Sequence, residues 1–396
     1  MPTIPLITPV LDHAEADEVR RVILSGWVTQ GPEVELFEKE FASFVGAPFA
    51  CAVSSCTAAL HTALVALDIG PGDEVITVSH SFIATANAVR YVGATPVFVD
   101  VDPVNGNLDA SHIFSAITER TRALIVVHQL GMPSDMKKIM QAVVEFGLPI
   151  IEDAACAIGS EIFFEDEWQR IGRPHGTICC FSFHPRKLVT TGDGGMLTTA
   201  DPMLDQKFRL IRHHGMTVSD RQRHSSNKVI IEEYALLGYN YRLTDIQAAV
   251  GRVQLRRLPE IIKCRRELAN RYHSMLSEIN QLDVATEPEW AKTNWQTYTV
   301  RLSRAVDQIR VMQAMLSAGI STRRGVMCAH REPAYLAEFW RCIEGPATCG
   351  CEKGRCRNLF NSEDLQNRSL ALPLFQGMTE DQQRFVITVL AEALAR

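Results

Sequence analysis

One lysine of this sequence stands in a setting suited to covalent chemistry. Phe181-Ser182-Phe183-His184-Pro185-Arg186-Lys187 closes an apolar run, and Thr190-Thr191-Gly192-Asp193-Gly194-Gly195-Met196-Leu197 follows it. Glycines at such a turn permit positive φ and a close backbone approach to a ligand. A lysine held there and partly desolvated would have its pKa lowered and form Schiff bases with carbonyl compounds. A surface lysine ahead of a hairpin fits the same residues.

Upstream, Ile150-Ile151-Glu152-Asp153-Ala154-Ala155-Cys156 places an acid at the carboxyl end of a buried strand. A carboxylate there needs a cationic or hydrogen-bonding partner. The protonated ring nitrogen of pyridoxal phosphate is one such partner, because that cofactor works as an electron sink only when its pyridine is protonated. A helix N-cap is the other reading of Asp153. A third piece is Ser54-Ser55-Cys56-Thr57-Ala58-Ala59-Leu60, where small hydroxylated residues open an amphipathic helix after a strand. Helix N-terminal amides with the Thr57 hydroxyl make an anion site. Capping by Ser55 or Thr57 needs no ligand.

These pieces require a framework. Short β-branched runs at 49–53, 74–78, 95–101, 123–127, 149–152, 177–182 and 195–199 read as buried strands. Helical patterns at 58–67, 84–92 and 135–146 lie between several of them. That alternation predicts an α/β sheet covered on both faces, with ligands at the carboxyl ends of its strands. From about residue 244 a long helical stretch follows, interrupted or kinked near Pro259, and then strands and helices mix (296–302, 305–318, 379–395). The domains expected are 1–255, a large cofactor domain, and 256–396, a smaller α+β domain with a Cys-rich insertion near 342–357. The length of 396 residues suits that division. A net charge of -6 gives no whole-chain attraction to nucleic acid or anionic membrane. No run approaches a membrane span of roughly 20 residues, the start lacks a signal-peptide pattern, and 11 cysteines without paired spacing point to a reducing cytoplasm.

Taken in order, the chain resembles the DegT/DnrJ/EryC/StrS sugar aminotransferase family, of fold type I among pyridoxal-phosphate enzymes. The resemblance covers nearly the whole chain. It rests on Ser25-Gly26-Trp27-Val28-Thr29-Gln30-Gly31-Pro32, Gly70-Pro71-Gly72-Asp73-Glu74, Ala84-Thr85-Ala86-Asn87, Gly93-Ala94-Thr95-Pro96 and Gly238-Tyr239-Asn240-Tyr241-Arg242-Leu243-Thr244-Asp245. It implies that Lys187 carries the cofactor as a Schiff base and shuttles the proton, and that Asp153 faces the ring nitrogen. Thr57, the Ala58 amide and Ser182 match its phosphate-binding positions, and Phe82 its ring-stacking aromatic. Asn240 matches a residue that reaches the phosphate of the neighbouring subunit, which implies a homodimer with shared sites. Thr29, His184, Arg324 and His330 fall where the family lines its substrate cleft.

Two residues depart from the family pattern. Cys56 replaces a usual Gly, and a positive φ there would cost on the order of 1–2 kcal/mol. Cys156 stands where Gln commonly supports the ring hydroxyl, and a thiol is the weaker partner. The function implied is transfer of an amino group from glutamate or glutamine to a nucleotide-linked keto-hexose. A cyclitol or other small ketone as acceptor, and a non-catalytic sensor on the same fold, are the alternatives. Arg323 and Arg324 suit a substrate diphosphate or a donor carboxylate, and solvated loop arginines fit them equally. Cys342, Cys349, Cys351 and Cys356 lack C-x2-C knuckles and read as a reduced loop ahead of a zinc site. His213, His214 and His224 have no metal-like spacing, so no metal is expected.

Overall fold

The computed structural model describes residues 4–218, 223, 227–336, 340–344 and 354–395. Its short apolar runs form strands β1 (Phe49–Val53), β2 (Glu74–Val78), β3 (Thr95–Val99), β4 (Thr121–Val127) and β5 (Ile150–Asp153). A hairpin of β6 (Glu161–Phe164) and β7 (Glu167–Arg170) precedes β8 (Ile178–Ser182) and β9 (Gly195–Thr199). The main sheet runs β1-β9-β8-β5-β4-β2-β3, with Arg341–Cys342 beyond β3. Neighbours from β8 to Arg341–Cys342 are parallel, whereas β9 is antiparallel to both β8 and β1.

Both faces of the sheet are buried, as the near-continuous apolar strands require. Along β4, Leu124 and Val126 enter one core with Phe41 and Phe181, while Ala123 and Ile125 enter the other with Leu60 and Leu64. Helices α1 (His13–Ser25) and α2 (Pro32–Val45) cover the chain's start, and α3 (Cys56–Ala66) and α4 (Ala84–Tyr91) each follow a strand. The reversal of β9 matters most for chemistry. Its first residue, Gly195, pairs with Val53 and Ser182, so it lies at the edge where the other strands end.

The second sheet is four-stranded and antiparallel: Leu282–Val284, Tyr298–Leu302, Ser369–Leu372 and Arg323–Arg324. Helices Gln308–Ser317 and Glu380–Leu394 pack on its core through Val311, Met315, Val386 and Leu390. One continuous helix, Asp245–Leu276, joins the two regions and contains Pro259, so the expected interruption is absent. It forgoes one backbone hydrogen bond at the proline while tertiary packing holds both halves. Leu255, Leu258 and Ile261 enter the large core, and Leu268, Tyr272 and Leu276 the smaller one. A cut at 255 therefore falls inside a helix. The chain also crosses over elsewhere: Ile4 joins the smaller core and Arg341–Cys342 extends the large sheet. Cys342 and Cys356 are buried in a small cluster with Phe98 and Tyr335; Cys349, Cys351 and His224 lie outside the described residues. No described helix is long and apolar enough to cross a membrane.

His80, just past β2, carries an acid-sensitivity prediction. It is 3 % exposed, and burial above all pulls its imidazole from 6.5 to about 4. Between those values the unfolded chain holds a proton that the folded chain refuses, so stability falls as pH drops through this window. The expected loss between pH 7 and pH 5 from His80 alone is about 2 kcal/mol. Urea unfolding of His80→Gln should show a correspondingly shallower pH slope than the parent. An unchanged slope would show that His80 titrates normally.

Candidate active site

At the carboxyl edge of the main sheet a cleft of about 360 Å³ opens against the Arg323–Arg324 strand of the second sheet. That size suits a small organic ligand with several polar anchors. Ser55, in extended conformation (φ -165°), caps α3 by accepting the Ala58 amide on Oγ at 3.1 Å. Ala58 is itself buried, and its amide is spent on that cap. The sequence-based assignment of the Ala58 amide to a phosphate therefore gives way to the open first-turn amides of Cys56 and Thr57, which line the cleft. Cys56 has no positive φ, so the strain considered for it does not arise. A Cβ on Gly195 would sit 2.5 Å from the Ser55 carbonyl, so only glycine lets β9 pass this close.

Asp153 ends β5 with 5 % of its surface exposed, at the cleft wall. Thr85 Oγ1, on α4, donates to Asp153 Oδ2 at 2.7 Å, and the Ala155 amide reaches Oδ1 at 3.2 Å. The single Thr85 proton is thus committed, so Ser81 Oγ must donate to Thr85 across 2.9 Å. No helix follows Asp153, which removes the N-cap reading. Immediately behind it, fully buried Glu152 accepts from His128 Nε2 at 2.9 Å and from the Gly176 amide at 2.7 Å. Because His128 Nδ1 accepts from the Ser134 amide at 2.9 Å, the imidazole proton sits on Nε2. This packing fixes the end of β5, and the His128 amide donates to the Asp153 carbonyl at 3.0 Å.

Lys187 emerges from a tight turn in which its amide bonds the His184 carbonyl at 2.8 Å. Nζ donates to Cys156 Sγ at 2.9 Å. The expected lowering of its pKa is not what this environment produces. Burial is the largest single influence and pulls the amine down, but Cys156, Cys56 and Asp153 together outweigh it, and the amine stands above the usual lysine value. Burial pushes the Cys56 thiol well above its ordinary range. Ser182 and His184 line the same cleft, and burial lowers the His184 imidazole, helped by Arg186. Phe82 also lines it with 57 % of its surface exposed, an aromatic face with nothing yet packed on it.

The opposite wall carries residues that the sequence reading passed over or left open. Arg186, Arg323 and Arg324 converge on the cleft, and Arg323 has its pKa lowered by burial and then by the two neighbouring guanidiniums. Gln296 Nε2 ties the wall to the lysine turn through the Arg186 carbonyl at 2.9 Å. Arg186 and Gln296 carried no sequence signal beyond their neighbours. Thr85 did: it stands in the first turn of the helix that follows β2.

Three assigned residues lie elsewhere in the chain's own fold. Thr29 accepts the Asp245 amide on its carbonyl at 3.1 Å, supporting the start of the long helix. His330 is 1 % exposed and spans Ser79 Oγ at 2.6 Å and Glu363 Oε1 at 3.2 Å, so it is a strut between regions and does not line the cleft. Asn240 is exposed beside a short bridge to His213, away from its own cleft. Among the described residues no cluster could hold a metal ion.

The residues present fit pyridoxal phosphate. A buried carboxylate without an ion pair among the described residues, an open helix start kept clear by Gly195, an exposed phenyl face and a lysine amine share one cavity. A sequence model of the DegT/DnrJ/EryC1/StrS aminotransferase family matches residues 9–391. The spore coat polysaccharide biosynthesis protein SpsC of Bacillus subtilis is 37% identical over 388 residues, 97% of this chain and 95% of its own. The aminotransferase TlmJ from Streptoalloteichus hindustanus superposes with a TM-score of 0.86 at 33% identity, covering 99% of each chain. Spr1654 from Streptococcus pneumoniae, described as a sugar aminotransferase and solved in its PLP form, gives 0.87 at 25% identity over 99% of each chain.

Proposed function

The chain belongs to the DegT/DnrJ/EryC1/StrS aminotransferase family, and from that premise we propose that it moves an amino group from glutamate or glutamine to the ketone of a nucleotide-linked keto-hexose. It is a pyridoxal-phosphate-dependent aminotransferase of fold type I. When bound, the cofactor supplies the electron sink that makes a carbon–hydrogen bond beside the transferred nitrogen acidic.

The chain's own residues do the rest. The first-turn amides of Cys56 and Thr57, the Thr57 hydroxyl and Ser182 would hold the phosphate. Asp153, oriented by Thr85, would keep a proton on the ring nitrogen, and Phe82 would cover the ring. Lys187 Nζ would take the proton from the carbon on one side of the transferred nitrogen and return it to the carbon on the other. The observation that carries this reading is the buried Asp153 carboxylate, without an ion pair among the described residues, sharing its cavity with Lys187.

Two features support the finer statement. SpsC acts in polysaccharide biosynthesis and Spr1654 is described as a sugar aminotransferase. The convergence of Arg186, Arg323 and Arg324 suits an acceptor with a diphosphate beyond its sugar. The apolar flank of Asn240, with Val229, Ile231 and Leu237 each more than three-quarters exposed, supports a homodimer in which Asn240 reaches the partner's site.

The test is amination of a panel of nucleotide-linked keto-hexoses and free cyclitol ketones, read by mass spectrometry with each donor. Turnover of cyclitols alone would overturn the nucleotide assignment. Arg323→Ala should raise KM for a diphosphate-bearing acceptor by about 10–100-fold while leaving the reaction with the amino donor nearly unchanged. If donor and acceptor suffer equally, the arginines serve the donor carboxylate instead.

A further inference from the structure

Cys156 takes no part in the proposed chemistry, yet its sulfur touches the amine that does. Backbone contacts on both sides hold the two segments together. Asn294 Nδ2 donates to the carbonyls of Cys156 and Ile158, both at 2.8 Å, which clamps the segment carrying the sulfur. On the other side, the Lys187 amide bond to His184 and the Gln296 bond to the Arg186 carbonyl fix the lysine's backbone. Cys156 lines the cleft and is partly exposed, so the contact sits where cofactor and solvent arrive.

Resting on the reading of Lys187 as the cofactor lysine, we propose that Cys156 is a positioning residue. Whenever Nζ is free of the cofactor, the sulfur accepts a hydrogen bond from it and keeps the amine, with its proton, aimed into the cleft. The direction of the lysine's proton affinity agrees, since Cys156 is the largest influence opposing burial. Asp153 and Cys56 act in the same sense more weakly. His184, Arg186, Arg323 and Arg324 also line the cleft, and the arginines work against holding a proton on Nζ, with Asp193 the remaining acid there.

The proton-holding role is read on cofactor-free enzyme, as the rate of combination with pyridoxal phosphate against pH. Only the deprotonated amine attacks the aldehyde, so the rate rises with pH around the lysine's own midpoint. Cys156→Ala should move that rise to lower pH, making capture at neutral pH several-fold faster. Cys156→Ser, which keeps a hydrogen-bond acceptor, should fall between. A second readout needs no cofactor: acetic anhydride labelling of Lys187 against pH, read by peptide mass spectrometry, should show the same displacement to lower pH in Cys156→Ala. A packing role moves neither readout. An unshifted midpoint in Cys156→Ala overturns the proposal. Should that variant not fold, an unshifted labelling midpoint in Cys156→Ser overturns it alone. A parent protein that forms no visible band with pyridoxal phosphate overturns the reading of Lys187 instead, while the labelling still reports on the contact.

Discussion

Lys187→Ala is expected to abolish the visible absorption band that the parent forms with pyridoxal phosphate and to lower turnover by at least about a thousandfold. Two functions vanish together: covalent anchoring of the cofactor and proton transfer between carbons, each worth orders of magnitude. The fold should survive. The lysine backbone is held by His184 and Gln296 contacts that do not use Nζ, and alanine leaves only a wider cleft. Lys187→Arg separates the functions, since it keeps a cation beside Cys156 but supplies neither a nucleophile nor a proton-transferring amine at neutral pH. Far-ultraviolet circular dichroism and urea midpoints would establish folding, and absorbance with and without glutamate would establish chemistry. Near-parental turnover in either variant would sink the mechanism. Addition of small primary amines to Lys187→Ala should restore part of the rate if the missing group is a general base and not a structural prop.

The strands were legible where apolar periodicity was undiluted. The 74–78, 49–53 and 195–199 runs match β2, β1 and β9 residue for residue. Helix α1 escaped the reading because little of it is buried, which leaves no apolar stripe, whereas α2 carries one in Val34, Phe37, Phe41 and Val45 that was passed over. Both also carried end signals: the Asp12 and Glu15 capping box, Pro32 at the first turn and left-handed Gly26 and Gly46 behind. At Pro259 the long helical stretch was legible and only its interruption was not needed, since a cost of roughly 3 kcal/mol is smaller than what two cores return along a 32-residue helix.

In the site, residue types that chemistry demands could be named, but directions could not. Lysine, strand-end aspartate and helix start follow from local pattern, and the structure gathers them at one cavity. His330 shows the limit. Its neighbourhood in sequence borders the cleft, yet a turn at 329–331 rotates the ring into Ser79 and Glu363. The lysine's proton affinity was equally beyond reach, because the sulfur that contributes most against burial comes from another strand's loop. For Ala58 the sequence could not show that a side-chain cap takes its amide in this fold.

Asp153→Asn is the second large effect expected, a loss of about 10²–10³ in kcat for the reaction with the amino donor. The substitution preserves shape and alters charge. Thr85 Oγ1 donates to one carboxylate oxygen and the Ala155 amide to the other, so a neutral carboxamide loses the anion in either orientation and sets its own N–H against one of those donors. Without that negative charge the residue at 153 would no longer hold a proton on the ring nitrogen, on which the electron sink depends. Cofactor affinity should fall far less, because phosphate contacts at the α3 start and the Lys187 linkage do not involve residue 153. A Thr85→Val variant probes the same relay more gently. It removes one hydrogen bond to the carboxylate, worth about 1.5–3 kcal/mol for a charged acceptor, and should cost about tenfold while the protonated ring persists. Single-turnover absorbance with glutamate distinguishes the two, since Asp153→Asn should slow chemistry with the cofactor still bound. A rate within about threefold of the parent for Asp153→Asn would mean that another group holds the ring proton, and Asp193 is the other acid that lines the cleft.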